Sequence, residues 1–242
     1  MLNRQNLIRI GYYIVRSSLL TKNEFSNNFN KNIIWINPDK LKLFSAPPNW
    51  WWYGRLDKRI NNKMLRKILY KFAMKKFFYG GNWDLSAIKF QDTDWIKNIR
   101  SLKLNYKNYE NSNWYKFIKL HILEYGTYKY KKKIIKNDKQ LNYFFEIYLK
   151  KIIKSLKLNG FKINVKSKDI PKVLIGRNGK LIKTGNGCHR LAMIQEFSIK
   201  CSYPVQIVGV HKEFCIKGVK AKFLKFREIN KFVVDKYSIK LN

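Results

Sequence analysis

The sequence predicts an α+β fold, with a small mixed sheet and its helices in the C-terminal part and a mainly helical elaboration before it. Apolar residues recur every three or four positions through the middle of the chain, which is typical of amphipathic helices. After Val165 the pattern changes to short apolar runs separated by turn residues, which indicates strands. We therefore divide the chain into an elaboration over residues 1–157 and a core over residues 158–242, and expect one compact unit.

Composition limits the class of protein. With 242 residues, of which 45% are hydrophobic and 16% aromatic, the chain can bury an ordinary core and is not a disordered polyelectrolyte. Its 51 lysines and arginines outnumber 15 acidic residues, which gives a formal charge of +36. Only ten of the basic residues are arginines. The lysine excess fits either an A/T-rich genome or selection for contact with nucleic acid or anionic membranes.

Cysteine usage and the N-terminal segment bear on location. The cysteines are too scattered for a disulfide framework or a paired-cysteine metal site, which favours a reducing, cytoplasmic setting. Residues 7–20 are partly apolar, but Arg9 and Arg16 interrupt them, so we expect neither a signal peptide nor a transmembrane segment. We expect an amphipathic helix here that docks on the protein or, alternatively, lies on a membrane surface. The three cysteines are Cys188, Cys201 and Cys215.

Before residue 90 the sequence alternates turns with short regular segments. Ile33–Ile36 is predicted to be a strand closed by Asn-Pro-Asp. The Trp-Trp-Trp-Tyr run at 50–53 either covers the core or stacks on nucleic-acid bases. Residues 58–78 have one apolar and one lysine-covered face, which predicts a helix. That helix ends at the paired glycines of Gly80–Asp84, where we expect a tight turn.

Three helices are predicted in the middle of the chain. The first runs from a cap at Asp92 or Thr93 through Ile99, and the second starts at Asn111–Ser112 and ends at a glycine. The third and longest covers Asp138–Leu158. The residues expected to face inward are Trp114, Phe117, Ile118 and Ile122 in the second helix and Leu141, Phe144, Phe145, Tyr148, Ile152 and Leu156 in the third.

The C-terminal part is predicted to alternate strands with turns. Lys172–Gly176 is a strand, and Arg177–Lys180 is a two-residue Asn-Gly hairpin turn into a second strand. The glycine-rich segment Thr184–Gln195 is a loop that enters a helix. Pro204–Val210 is predicted to be an edge strand, because proline has no N–H to give to a second neighbour. A final helix and a short strand complete the prediction.

The glycine loop carries the clearest chemical signal. Gly185 and Gly187 allow close backbone approach, and the first N–H groups of the following helix have no partner within it. The helix dipole adds partial positive charge, which suits phosphate. Asn186 lies between the glycines, Arg190 offers a bidentate fork, and His189 can donate a hydrogen bond or move a proton. The alternative is a capped helix whose arginine pairs with a carboxylate.

The run from the Asn-Gly turn through Gly185–Ala192 resembles the core of the ParB/sulfiredoxin superfamily, whose members carry an x-His-Arg loop at a nucleotide-phosphate site. The resemblance covers residues 160–212. Upstream, Gly80–Asp84 is similar to uncharacterised bacterial and phage relatives with a Gly-Gly-Asp-Trp-Asp signature. The second resemblance supports the fold rather than a reaction.

The resemblance implies a nucleoside triphosphate, ATP or CTP with Mg²⁺, whose phosphates are held by Gly187, His189 and Arg190. The superfamily contains CTP hydrolases, ATP-dependent sulfinate reductases and small-molecule kinases, so it implies a phosphotransferase or a nucleotide hydrolase. Asn186 stands where the family has Asp, which removes a charge that can position metal or water. Only residues 212–242 follow the core, too few for the DNA-binding domain of partition proteins, so a partition role is not expected.

Four residues are further candidates for the chemistry. Cys188 lies where sulfiredoxins have their nucleophile, and a helix N-terminus beside basic side chains favours thiolate; alternatively it is only the variable position of the motif. Asp84 and the loop residue His189 are the acid–base candidates. Asp84 could also hold Mg²⁺, with Trp83 as a wall of the pocket; alternatively, Asp84 is structural. His211, at a strand end, is either a proton-transfer residue or a polar terminus.

A second hypothesis is a non-catalytic nucleic-acid-binding protein that uses the core as a scaffold. Two lysine-covered helix faces, in residues 58–76 and 150–157, would contact phosphates, and affinity would fall steeply with salt. The alternative for these faces is an ordinary solvated surface. The sequence leaves the substrate, the metal and the oligomeric state open.

Overall fold

The computed structural model describes residues 33–46, 78–130, 133–163, 170–217 and 226–238, which form an α+β fold. The predicted fold class is therefore confirmed. Three predicted segments lie largely or wholly outside the described residues: the helix at 7–20, the aromatic run at 50–53 and the basic helix at 58–78.

A mixed seven-stranded sheet runs through the described part of the chain. The order is β1-β9-β7-β8-β2-β4, and β3 pairs with the C-terminal end of β9. Four of these strands precede residue 158. The prediction placed the sheet in the C-terminal part, whereas in the structure it extends into the N-terminal elaboration as well. The strands of this sheet are β1 (Ile33–Ile36), β2 (Leu43–Phe44), β3 (Phe78–Tyr79), β4 (Ile88–Lys89), β7 (Lys172–Ile175), β8 (Leu181–Thr184) and β9 (Tyr203–His211); β5 (Tyr128–Tyr130) and β6 (Lys133–Ile135) form a separate antiparallel hairpin.

The long strand β9 lies inside the sheet. It runs antiparallel to β1 on one side and parallel to β7 on the other, so the prediction of an edge strand is wrong. Pro204 is tolerated because it lies before the first β7 pair, Lys172 with Gln206, and only β1 faces it. The proline therefore marks the start of the strand and not the edge of the sheet.

The hairpin between β7 and β8 has a three-residue loop instead of the predicted two-residue turn. The Gly179 N–H donates to the Gly176 carbonyl at 2.9 Å, and the Gly176 N–H donates to Lys180 O at 3.0 Å, which leaves residues 177–179 in the loop. Gly179 has φ +68°, the conformation that closes such loops. A Cβ there would lie 2.8 Å from Cε2 of Phe214, so the position requires glycine.

The helices follow the predicted caps. Thr93 and Ser112 are the N-caps of α1 and α2, and Gly126 ends α2 with φ +74°. The β5–β6 hairpin lies between the second and third predicted helices, where no strand was predicted. No helix in the described residues is long and apolar enough to cross a membrane. The helices are α1 (Asp94–Leu104), α2 (Asn113–Tyr125), α3 (Asp138–Tyr143), a π-helical segment (Phe144–Leu149), α4 (Lys150–Asn159), α5 (Cys188–Glu196), α6 (Lys212–Lys217) and α7 (Phe226–Tyr237).

The π-helical segment shifts the predicted core by one residue. A π turn holds one residue more than an α turn, so the buried stripe advances beyond it. Leu149 and Ile153 are buried, whereas the predicted Tyr148 and Ile152 are only half-buried. On α2, Phe117 is 53% exposed, so its predicted inward orientation is wrong as well.

The core lies between the sheet and the helices, and aromatic rings fill much of it. Trp114 on α2 is buried, and its ring lies edge-on to Phe144 and Phe145, with centroids 5.7 and 5.5 Å away. Edge-to-face pairs of this kind contribute about 0.5–1.5 kcal/mol beyond the burial of their area. α1 packs on α5, and the helix that follows the glycine loop is thereby fixed against the core.

Candidate functional site

The glycine loop connects the end of β8 to the N-terminus of α5, as predicted. Gly185 and Gly187 both have positive φ, +55° and +92°. A Cβ on Gly187 would lie 2.7 Å from the Tyr203 hydroxyl oxygen and 2.9 Å from Cγ of Pro171. The same hydroxyl donates to the Gly187 carbonyl at 3.0 Å. The loop is therefore held in one conformation that only glycine can take at this point.

A fully buried lysine, Lys183, lies directly behind the loop. Its ammonium donates to the carbonyl oxygens of Thr184 and Asn186, both at 2.5 Å. Lys172 O at 3.3 Å and Gly185 O at 3.4 Å complete the surrounding acceptors. Sequence reasoning missed Lys183, because a lysine in a strand is ordinarily assigned to the solvent face. Its position between Ile182 and a glycine loop was the available signal.

The lysine contacts set the direction of the loop amides. In a trans peptide the carbonyl of one residue and the N–H of the next point in opposite directions, and the described chain contains no cis bond. Because the carbonyls of residues 184–186 turn onto Lys183, the N–H groups of residues 185–187 point away from it. The first N–H groups of α5 follow directly after them. The loop thus gathers amide donors at a helix N-terminus.

Electrostatics make this end of the helix positive. The pKa of Lys183 is lowered from the ordinary 10.5 to about 8. Burial is the main cause, the charges of Arg190 and Lys172 act in the same direction, and the neighbouring Cys188 acts in the opposite one. Lys183 is therefore mostly protonated at neutral pH. Gly185–Arg190 contains no acidic side chain. Cationic charge behind the loop and beside it favours an anion in front of it.

Cys188 does not have the predicted thiolate character. It is 5% exposed, and burial raises its pKa above the ordinary 9.0, although the charge of Lys183 acts in the opposite direction. Its Sγ donates to the Gly185 carbonyl at 3.1 Å, as a protonated thiol does. The helix N-terminus alone does not activate the thiol, because removal from water outweighs it.

His189 and Arg190 are both held by aromatic rings. The imidazole of His189 stacks on Trp114, with centroids 5.4 Å apart, and meets the edge of Tyr130 at 5.1 Å. The Arg190 guanidinium carbon lies 4.3 Å from the centre of the Phe161 ring. Both side chains are half-buried at the first turn of α5. Ring contacts of this kind restrict the orientations that a histidine and an arginine can adopt.

A second cluster of predicted residues forms at the β7–β8 turn, around Arg177. Its Nε donates to both oxygens of Asp84 at 3.1 and 3.0 Å, and its backbone N–H donates to Oδ2 at 2.8 Å. Nη2 donates to the Gly81 carbonyl at 2.9 Å, and Nη1 lies 3.5 Å from Oε1 of Glu213. These contacts fasten the Gly-Gly turn to the hairpin. Arg177 was assigned only a turn role from the sequence.

The side chains of Asp84 and His211 are both buried in this cluster. Burial raises the pKa of Asp84, but the hydrogen bonds and the charge of Arg177 outweigh it, so the pKa lies below the ordinary 3.8. The Glu213 N–H donates to Nδ1 of His211 at 3.1 Å, so Nε2 carries the ring proton and donates to the Gly81 carbonyl at 2.8 Å. Trp83 lies beside this imidazole, with ring centroids 5.7 Å apart.

The two clusters lie at opposite ends of β7 and β8. Asp84 lies against Gly176, whereas Gly185 lies against Lys172, at the other end of the four-residue strand β7. At about 3.3 Å per residue, the separation is about 13 Å. The structure thus brings Trp83, Asp84 and His211 together but keeps them away from the loop. Asp84 and Trp83, which the sequence offered either as acid–base, Mg²⁺ or pocket-wall residues or as structural ones, therefore lie outside the glycine loop.

The described residues contain no group of three or more His, Cys, Asp or Glu side chains that could hold a metal ion. The loop itself offers amide donors and basic side chains. No family model, curated protein or solved structure matches the chain.

Proposed function

We propose that the Gly185–Arg190 loop binds the phosphates of a nucleoside triphosphate. One observation carries the proposal: the loop carbonyls fold onto the buried ammonium of Lys183, which directs the loop amides away from it at a helix N-terminus. Amides in this arrangement are a recurrent phosphate-binding device. The protonated lysine holds that arrangement and adds charge behind it.

Arg190 supplies the side-chain contact in this proposal. A guanidinium can form two parallel hydrogen bonds with a phosphate, and the ring of Phe161 limits the orientations that Arg190 can adopt. Preorganisation of this kind lowers the entropy lost when a ligand binds. The resemblance to the ParB/sulfiredoxin superfamily supports a nucleotide, ATP or CTP, as the bearer of the phosphates.

In its more specific form, the proposal is that the protein hydrolyses the bound nucleotide or transfers a phosphoryl group from it. His189 is then the acid–base residue, because it lies in the loop, whereas Asp84 is about 13 Å away. Its stacking on Trp114 orients the imidazole. The protonated, buried thiol of Cys188 argues against a role as nucleophile at neutral pH.

Isothermal titration with ATP, CTP and GTP in the presence of Mg²⁺ tests the binding step. Arg190→Gln is expected to lower the affinity for the best ligand by about 10- to 150-fold, which corresponds to the loss of one charge-assisted hydrogen-bonding contact. The matched control is Arg100→Gln. Arg100 is 49% exposed and pairs with Glu196 at 2.9 Å. Its substitution is expected to leave the affinity for nucleotide unchanged. Equal loss in both variants, or no binding to wild type at about 1 mM ligand, refutes the proposal.

A further inference from the structure

A lysine-lined groove lies along α4, far from the glycine loop. Its volume is about 400 Å³, and α4 with the end of the π-helical segment forms one wall. The groove meets Phe197, at the C-terminal end of α5, through Lys157. The loop lies at the opposite end of that nine-residue helix, about 13 Å away. Any ligand of the groove is therefore separate from the ligand proposed for the loop. The lining residues used below are Tyr106, Glu146, Lys150, Lys151, Lys154 and Lys157.

Charge in the groove is almost entirely of one sign. Four lysines line it against one carboxylate, Glu146. Lys150, Lys154 and Lys157 follow one helix face at spacings of four and three residues, which spreads them over about 10 Å. A line of ammonium groups fits a chain of phosphates better than it fits a single anion.

Aromatic rings alternate with these lysines. The ammonium of Lys150 lies 5.9 Å from the centre of the Tyr106 ring and 5.5 Å from that of Tyr109. Lys157 lies 5.5 Å from the centre of the Phe197 ring, and the Tyr106 and Phe197 centroids are 5.6 Å apart. All three rings are half-buried. The rings are therefore fixed by the core while part of each remains accessible.

We propose that this groove binds a single-stranded nucleic acid. Proteins that bind single strands combine a cationic track for the backbone with aromatic side chains on which bases stack. Here four lysines and Tyr106 line the groove, and Tyr109 and Phe197 lie beside its lysines. A duplex keeps its bases stacked inside and could use only the lysines. The proposal goes beyond the phosphate-binding loop and does not depend on it.

Fluorescence anisotropy with a labelled single strand of about 20 nucleotides tests the proposal, with the matching duplex as competitor. The double variant Lys150→Gln/Lys154→Gln is expected to reduce the slope of log affinity against log salt by about 1.4, or 0.7 per lost phosphate contact. The control is Lys116→Gln/Lys129→Gln, which removes two exposed lysines outside the groove. Equal reductions would show that net charge alone attracts the strand, and would overturn the proposal.

Three further variants distinguish the effects of stacking and of misfolding from the effect of charge. Tyr106→Leu is expected to weaken binding by about 5- to 150-fold, while Tyr106→Phe keeps the ring and the affinity. Glu146→Gln removes the one acidic group of the groove, so affinity should rise, an outcome that a misfolded protein cannot produce. Tighter binding of the duplex, no effect of losing the ring, or capture of an acidic protein in place of nucleic acid would each contradict the proposal.

Discussion

Replacing Lys183 with methionine should change how the stability of the protein depends on pH. Lys183 has a pKa of about 8 in the folded protein, against 10.5 for an ordinary lysine, and burial is the main cause. Between these two values the unfolded chain binds more protons than the folded chain. Stability therefore rises with pH through this window for wild type. The methionine variant has no proton to lose at this position and lacks this contribution.

The size of the effect follows from the two pKa values. The difference corresponds to about 3 kcal/mol at most, and about 2 to 3 kcal/mol of it should appear between pH 7 and pH 10. All other titratable groups are the same in wild type and Lys183→Met, so their contributions cancel in the comparison. The difference between wild type and Lys183→Met therefore isolates the buried group.

Urea unfolding followed by tryptophan fluorescence at pH 7, 8, 9 and 10 measures this difference. If Lys183→Met is too unstable, Lys183→Arg serves the same purpose, because a guanidinium does not titrate in this range. Wild-type affinity for nucleotide should also fall above pH 8, as the charge behind the loop is lost. Identical pH dependence of the unfolding free energy in wild type and variant refutes a buried lysine of lowered pKa.

Three further predictions concern the loop and the hairpin turn. Gly187→Ala should lower the melting temperature more than Gly126→Ala, because both have positive φ but only at Gly187 would the Cβ meet other side chains, those of Tyr203 and Pro171; equal shifts would mean that these contacts relax freely. Asp84→Asn should flatten the acid limb of a melting-temperature profile, because a carboxyl of lowered pKa contributes stability above its ordinary 3.8 that is lost as pH falls through the lowered value; an unchanged limb would show that Asp84 carries none of it. Cys188 should react slowly with iodoacetamide at pH 7 in the folded protein and quickly in urea, and peptide mass spectrometry can measure both rates. Fast labelling of the folded protein would instead show that Cys188 is a thiolate there.

Local signals predicted the helices and the loop well. Thr93, Ser112 and Gly126 mark helix ends because their preferences act within a few residues of the backbone they cap. The glycine loop and α5 were equally predictable, since positive φ and helix entry are local properties too. These features depend on neighbours in sequence and not on the rest of the fold.

The missing features depend on contacts distant in sequence. β2, β3 and β4 have two residues each, which is too few to show a strand period. β2 and β3 pair with β8 and β9, more than ninety residues later in the chain, and β4 pairs with β2. The π-helical segment moved the buried stripe to Leu149 and Ile153, which no α-helical period anticipates. Lys183 was missed because its acceptors belong to a loop whose shape only the folded chain defines.

The location of bound phosphate tests the central claim most directly. Backbone amide shifts in a ¹H–¹⁵N spectrum, recorded with and without the best nucleotide and Mg²⁺, report which N–H groups meet the ligand. The largest changes are expected at Gly185–Arg190, because these amides lie in the loop and the first turn of α5. Changes centred on the Asp84–Arg177 turn, or no change at the loop with saturating nucleotide, would contradict the claim.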